Sequence, residues 1–429
     1  MKAKVLIIGG GVVGTSIALH AARQLDALKA PVVILERGQL GGGSSGGSGG
    51  ILRQHYGDSV VASMARDSMR EYSTFEGRTG RGVGFRRTGV LTLGGPSNPD
   101  SLRKIHEAIE GHNKIGIETV LLDAEQIRAR VPGIEVHDDA IAAWESQGGY
   151  VDAELCVREF AALARTSGAV TRLGVAITDL IVEDGRIVGA ETTEGRYDCD
   201  QIVVVTGAWM RSFLERFGIH VPVRVARVQQ LFVGLPSDEE EVDSRVHDRD
   251  SYVVDLEDPL EQAADMLYSG DDEHAPGSEH PVIVDLEYGF YVRCEFARRR
   301  TRVAPIAYDQ EHIFDGPDPD AKPDPELARW AREQLCRRLP MYADQPVLEQ
   351  IVSWFPLTQD GRALIGPVPG YEGLYVAGGF ADHGFKLAPS VGEGMAQMLG
   401  GEPVSSFDPE YFAPGRVPSE GDWSGDAYL

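Results

Sequence analysis

The chain is poor in cysteine. Its 429 residues hold four, Cys156, Cys199, Cys294 and Cys336, far apart and with no paired spacing. This excludes a disulfide framework and reads as reduced thiols in a cytoplasmic protein. Long apolar runs are absent as well. The best, Val5–Ile8 and Ile202–Val205, fall far short of the ~20 residues of a membrane helix, so no membrane span is expected. Basic charge is scarce, with 41 Lys and Arg against 66 Asp and Glu and a formal net charge of −25. Phosphate binding needs clustered Lys and Arg, so nucleic-acid and anionic-membrane partners are disfavoured. None of the 11 histidines stands at a metal-ligand spacing, and no metal is implied. A strand-like segment starts at Lys4, where a cleavable leader would otherwise lie, so no signal peptide is expected.

What is present is ordinary globular composition, 42% hydrophobic and 25% charged, in a length that suggests two or three domains. Lys4–Ile8 reads as a buried strand, followed by a glycine turn. Val13, Ile17, Ala21 and Leu25 then recur at helical spacing. Val32–Leu35 is a second β-branched run closing on Glu36, which completes a βαβ unit. Further strands are expected at Phe85–Gly94, Val175–Ile181, Arg186–Thr192 and Ile202–Val205, with Glu183–Gly185 as a hairpin turn. Arg224–Gly234 and Pro281–Arg293 read as strands of a different sheet, and Leu374–Ala377 as a last short strand. Helices are expected at Asp100–His112, Glu326–Leu339 and Pro389–Leu399. This order predicts an α/β protein (α+β in its two-domain arrangement), with a Rossmann-like nucleotide domain interleaved with a β-sheet-rich substrate domain. The first takes residues 1–85, 145–215 and 350–405, the second 86–144 and 216–349, and 406–429 form a C-terminal tail. Between Ser237 and His280 stand 16 Asp and Glu against two Arg. This acidic insertion, 237–280, reads either as a solvated surface segment or as a lid or docking surface for a cationic partner.

Gly9-x-Gly11-x-x-Gly14 is a weak pattern by itself. Its context strengthens it, because it follows a strand, opens a helix, and is answered by Glu36 at the end of the next strand. Gly9 permits the tight turn, Gly11 lets backbone at Val12 and Val13 approach a pyrophosphate, and Gly14 lets helix and strand pack. Glu36 would accept from ribose hydroxyls and would repel a 2′-phosphate, which disfavours NADP. Residues 41–50 contain seven glycines and three serines, a composition that in isolation fits a flexible linker. Placed a few residues past the second strand, the segment favours a phosphate-binding loop.

With these motifs the chain resembles the D-amino-acid-oxidase-like flavoproteins, and within them the sarcosine oxidases. The matching pieces are Ile8–Gly14, Leu35-Glu-Arg37, Gly43-Ser-Ser45, Ile51-Leu-Arg53, Gly148–Asp152, Val204–Trp209, Tyr288-Gly-Phe290, Thr358-x-Asp-Gly361 and Gly378–Lys386, in family order over most of the chain. The resemblance implies FAD bound in extended form at the interface of two domains. It assigns the cofactor Glu36, Arg37, Gly43, Ser44, Ser45, Gly49 and Gly50, backbone at Val175, and Thr206, Gly207 and Trp209. Gly379, Phe380, His383, Gly384, Phe385 and Lys386 would wrap the pyrimidine end, with the N-terminus of a helix starting near Pro389 aimed at the flavin. It further implies that Arg53 and Lys386 grip a substrate carboxylate. Tyr288 and Phe355 would line the pocket, with Tyr56 and His55 packing behind it.

Three departures from the family pattern carry expectations. Ser353 stands where the monomeric oxidases tether flavin through a cysteine, so FAD is expected to be non-covalent. Arg302 stands where they carry an oxygen-activating lysine, which leaves oxygen or another electron-transfer partner open as acceptor. Gly50 replaces a second arginine. The expected reaction is oxidation of an amino acid, secondary or N-methyl, by hydride transfer from its α-carbon to flavin N5, giving an imine. Two alternatives stand beside it: a 2-hydroxy-acid dehydrogenase using His55 or His383 as base, and a flavin subunit of a larger electron-transferring assembly.

Overall fold

The computed structural model describes residues 2–25, 31–236, 279–307 and 310–416. Of the acidic insertion only Glu279 and His280 fall within them, and the tail from 417 onward also lies outside.

The first βαβ unit forms as its sequence pattern predicts. The strand Lys2–Ile8 runs parallel to Val32–Glu36, with Ile8 opposite Leu35, and on its other side parallel to Gly195–Val204, with Ile8 opposite Val204. Val170–Leu173 extends this sheet beyond Val32–Glu36, and Leu374–Gly378 with its antiparallel neighbour Leu364–Pro367 extends it past Gly195–Val204. Both faces of the sheet are covered, which is why its central strands read as continuous apolar runs. Val5, Ile7, Val32 and Ile34 pack under the helices Val12–Gln24, Ser59–Thr79, Ala153–Thr166 and Gly384–Leu399. The alternate residues Leu6, Ile8, Val33 and Leu35 pack with the hairpin Ile177–Thr192 and the helix Met210–Glu215. At the tip of that hairpin Asp184 and Gly185 both take positive φ, the geometry of a two-residue turn matched to strand twist.

The second sheet takes Val90–Gly94, Val120–Leu122 and Ile141–Glu145, then Arg224–Gly234, Val282–Asp285, Phe290–Glu295, Arg300–Pro305, Ile313–Phe314 and Val347–Leu357. The chain therefore alternates between the two sheets. Val347–Leu357, which the expected boundary at 350 divides, pairs along its length with Arg224–Gly234 and belongs to the second sheet.

Three elements differ from the expected ones. Only Val90–Gly94 of the run from Phe85 is a strand, because Gly84 and Gly89 both turn to positive φ. Pro281–Arg293 is a hairpin. Asp285 Oδ1 accepts the amides of Glu287 and Tyr288, and Gly289 turns at φ +76° before Phe290 pairs back with Asp285. The last helix starts at Gly384, five residues before Pro389. A proline inside a helix strips the donor from the carbonyl four residues earlier. Here that carbonyl is Phe385 O, and the Tyr72 hydroxyl donates to it at 2.8 Å. Tyr72 comes from the 21-residue helix Ser59–Thr79, which its sequence did not announce; Asp58 caps its start and Gly80 ends it at φ +68°.

Candidate active site

The glycine turn between the first strand and helix leaves no room for side chains. A Cβ on Gly9 would lie 2.5 Å from Val205 O, and one on Gly14 would lie 2.1 Å from Gly9 O. A Cβ on Gly11 would reach to 3.0 Å from Ser45 Oγ. Glu36 ties the turn to the second strand: its two carboxylate oxygens accept the amides of Gly10 and Gly38, each at 2.8 Å. The Val12 amide donates to Ser45 Oγ at 3.1 Å, so the glycine-rich segment meets the helix N-terminus at Val12–Val13. The buried Val175 amide donates to Glu36 O. Arg37 lies over Trp209, 4.8 Å from the ring centroid, and Trp209 closes against Gly43. Thr206 Oγ1, next to the positive-φ Gly207, is buried without a hydrogen-bond partner among the described residues.

The segment 41–50 is a folded loop with fixed anchors. Ser44 Oγ donates to Trp354 O, which ties the loop to the Val347–Leu357 strand. Gly47 O accepts from Gln230 and Arg302, and Gly47 packs beside Ser353. Gly50, at φ +58°, would drive a Cβ to within 2.4 Å of Val151 O, so an arginine there would need another backbone path. All four cysteines are free thiols, in the hydrophobic cores or at their edges.

The substrate-side cluster gathers residues from distant parts of the chain. Arg53 is 5% exposed. Its guanidinium donates to His55 O at 2.6 Å and lies 4.6 Å over the Tyr56 ring. Its other N–H groups have no partner among the described residues. The Tyr56 hydroxyl meets His383 Nδ1 at 3.0 Å, and Lys386 Nζ donates to Asp382 Oδ2 at 2.9 Å and Asp382 O at 2.8 Å. Burial would raise the Asp382 carboxyl, but Lys386, His383 and Arg53 outweigh it and hold the group well below the usual carboxylate range. Burial pushes the Lys386 ammonium down against the pull of Asp382, and it pushes His383 down to about 4, so this ring is neutral at pH 7. Phe355 packs on Ala381 beside the same turn. On the solvent side of Tyr56 and His383 lies a pocket of about 210 Å³, rimmed by Asp58, Asp360 and Arg362.

One expected position is corrected. Tyr288 does not join this cluster. It sits in the hairpin turn of the second sheet beneath the guanidinium groups of Arg337 and Arg338. Strand alternation instead aims Tyr291 at the glycine-rich segment, with its hydroxyl 3.4 Å from Gln230 Oε1. Arg302 lies by that segment but is bound at Nε and at an amino group to Glu295, which Arg293 and Arg300 also grip. Its charge is thus shared within a buried network.

Glu145 and Asp382 were missed by sequence reasoning. Glu145 ends an apolar strand run, where a lone acid is the signal. It is fully buried, with Oε1 on the Gln54 amide at 2.7 Å and Oε2 unpartnered among the described residues. Burial pushes its carboxyl up to about 7, against the Gln54 amide, Arg53 and the His55 amide. Asp382 stands four residues before Lys386, a spacing that itself signals an ion pair.

FAD fits this frame. Glycines lie where side chains would fill the path beside a helix N-terminus, a carboxylate stands at the end of the second strand, and the buried Thr206 hydroxyl awaits a partner. Glu36, the 41–50 loop and Thr206–Trp209 would hold its adenosine and pyrophosphate portions, and Gly379–Lys386 its ring.

Comparison with known proteins agrees. Over 431 residues the chain is 24% identical to peroxisomal sarcosine oxidase of Homo sapiens, covering 97% of this chain and 96% of that protein. It is also 24% identical to monomeric sarcosine oxidase of Bacillus sp. (strain NS-129), covering 92% of each. Among solved structures, L-proline dehydrogenase from P. horikoshii superposes with a TM-score of 0.78 at 22% identity, over 97% of both chains. Glycine oxidase from Geobacillus kaustophilus gives 0.76 at 19% identity, over 97% of this chain and 99% of that one. The two-sheet α/β fold is shared with both. The profile of the FAD dependent oxidoreductase family matches residues 4–398, so the chain belongs to that family and is an FAD-dependent oxidoreductase.

Proposed function

We propose that the protein oxidises the C–N bond of an amino acid, with a secondary or N-methyl amino acid as the favoured class. The observation that carries this reading is the Arg53 guanidinium, held by one bond to His55 O and by the Tyr56 ring, with its remaining N–H fork unpartnered among the described residues and its charge felt at Lys386. A planar fork of this kind matches a carboxylate. Similarity to proteins named sarcosine oxidase and glycine oxidase supports the amino-acid class.

In the reaction a C–H bond next to nitrogen breaks and its electron pair leaves as hydride. The nitrogen lone pair forms the C=N bond, and water then hydrolyses the imine. FAD supplies the hydride acceptor. Arg53 and Lys386 orient the substrate, and their charge favours the neutral amine that the reaction requires. The helix starting at Gly384 turns its positive end toward the segment expected to wrap the flavin ring. We further propose that FAD is held without a covalent bond, since Ser353 cannot form a thioether. The hydroxy-acid reading is weaker. It needs a base, whereas His383 is engaged at Nδ1 by Tyr56 and faces Asp382 at Nε2, and burial with His112 and Arg53 pushes His55 well down, which makes it a weak proton acceptor.

The test is anaerobic bleaching of the visible flavin band by a panel of amino acids, N-methyl amino acids and hydroxy acids. Bleaching by an amino acid, slowed at least tenfold at low substrate in Arg53→Ala, is the expected result. Bleaching by hydroxy acids alone, or equal rates in Arg53→Ala, would overturn the reading.

A further inference from the structure

The pairing of Lys386 bears on how a substrate is captured. Asp382 lies in the turn between the strand Leu374–Gly378 and the helix Gly384–Leu399. That turn is fixed on both sides: Ala381, at φ +49°, donates its amide to Pro356 O at 2.8 Å, and the His383 amide donates to Phe380 O at 2.7 Å. The backbone that carries the carboxylate is therefore fixed. Its Oδ2 is 2.9 Å from Lys386 Nζ, and its Oδ1 is 3.4 Å from His383 Nε2. The Lys386 side chain is 5% exposed and that of Asp382 is 34% exposed. The cation lies behind, and the carboxylate forms the open face of the pair.

A simple carboxylate approaching Arg53 and Lys386 must compete with Asp382 for the lysine while lying against a like charge. A zwitterion meets no such conflict. Its ammonium can take the place of Lys386 on Asp382 while its carboxylate takes Arg53 and the released lysine, so that one ion pair is exchanged for three. We propose that Asp382 is a specificity-determining residue that receives the substrate's ammonium, so that the enzyme captures amino acids as zwitterions and discriminates against carboxylates lacking a cationic nitrogen. The neighbouring charges keep Asp382 ionised across the working range, which suits it to hold the ammonium at capture; at this partly exposed position the proton then passes to solvent, helped by the charges of Arg53 and Lys386, before hydride leaves. This inference rests on the amino-acid reading above.

Two inert ligands separate the cases. 2-Methylalanine is a zwitterion with no α-hydrogen to lose, and pivalate has the same shape with a methyl group in place of the ammonium. Each is titrated into the FAD-loaded enzyme and followed by perturbation of the visible flavin spectrum. The wild type is expected to prefer 2-methylalanine by at least about tenfold. In Asp382→Asn its affinity falls by about 10- to 100-fold, the range of a charged hydrogen bond, while pivalate binds more tightly because Lys386 is freed. Asp382→Ser, which adds no bulk to the turn, repeats the measurement, with flavin content as the check on folding. Unchanged preference in either variant, equal loss of both ligands, or no preference in the wild type overturns the role of Asp382 and leaves the amino-acid reading standing. Binding of neither ligand to the wild type overturns both.

Discussion

Glu145 is buried with one unpartnered oxygen, and replacing it by glutamine separates its charge from its shape. Its Oε1 supports the Gln54 amide directly behind Arg53, a task the glutamine carbonyl can take over. The native carboxyl is raised from 4.5 to about 7, chiefly by burial. Between those values the native state binds more protons than the unfolded chain, so stability falls as pH rises through that window. The penalty is absent below about pH 4.5 and complete above about pH 7. At 1.36 kcal/mol per pKa unit it amounts to roughly 3 kcal/mol. Glu145→Gln carries no such charge, so it is expected to match the wild type at pH 5 and to exceed its stability by up to about 3 kcal/mol at pH 8. Urea unfolding of the FAD-loaded proteins at pH 5, 6, 7 and 8, followed by far-ultraviolet circular dichroism, measures the difference. A constant difference across that range, or a variant less stable at pH 8, would refute the reasoning, because either means the carboxyl is not held protonated by burial.

Other outcomes follow from the same coordinates. Tyr72→Phe leaves Phe385 O buried without a donor and should cost about 1–3 kcal/mol; in a Pro389→Ala background, where the helix amide is restored, thermal melting should show most of that loss gone. Gly14→Ala forces a Cβ to 2.1 Å from Gly9 O, so the purified variant should carry well under half the flavin of the wild type by its absorbance ratio, and full occupancy would contradict the tight turn. Acid precipitation should leave all the flavin in the supernatant, whereas a yellow pellet would contradict non-covalent binding. Arg53→Lys keeps the charge but loses the fork, and a fall of at least tenfold in affinity for 2-methylalanine in a spectral titration is expected; unchanged binding would show that charge alone suffices.

The local elements were legible because their causes are local. β-Branched runs at Val5–Ile8 and Val32–Leu35, the glycines at 9, 11 and 14, and the Asp184-Gly185 turn each state their conformation within a few residues. The helix start near Pro389 was misjudged because the group that satisfies Phe385 O is Tyr72, 313 positions away. An aromatic beside a glycine motif looks the same whichever way the hairpin turns, and sequence alone does not separate Tyr288 from Tyr291. Strand register decides which of the two reaches the 41–50 loop.

The chain's own pattern thus determined the dinucleotide turn, the acidic partner at Glu36 and the interleaving of two sheets. Tertiary structure alone decided the charge balance of the site: that Arg302 is shared with Glu295, and that Glu145 is buried on the Gln54 amide behind Arg53. These are properties of distance and burial between segments such as Tyr56 and His383, which meet at 3.0 Å across 327 positions of chain. Electrostatic energy depends on separation in space and on access to water, and neither is written in the order of residues until the sheets and helices pack.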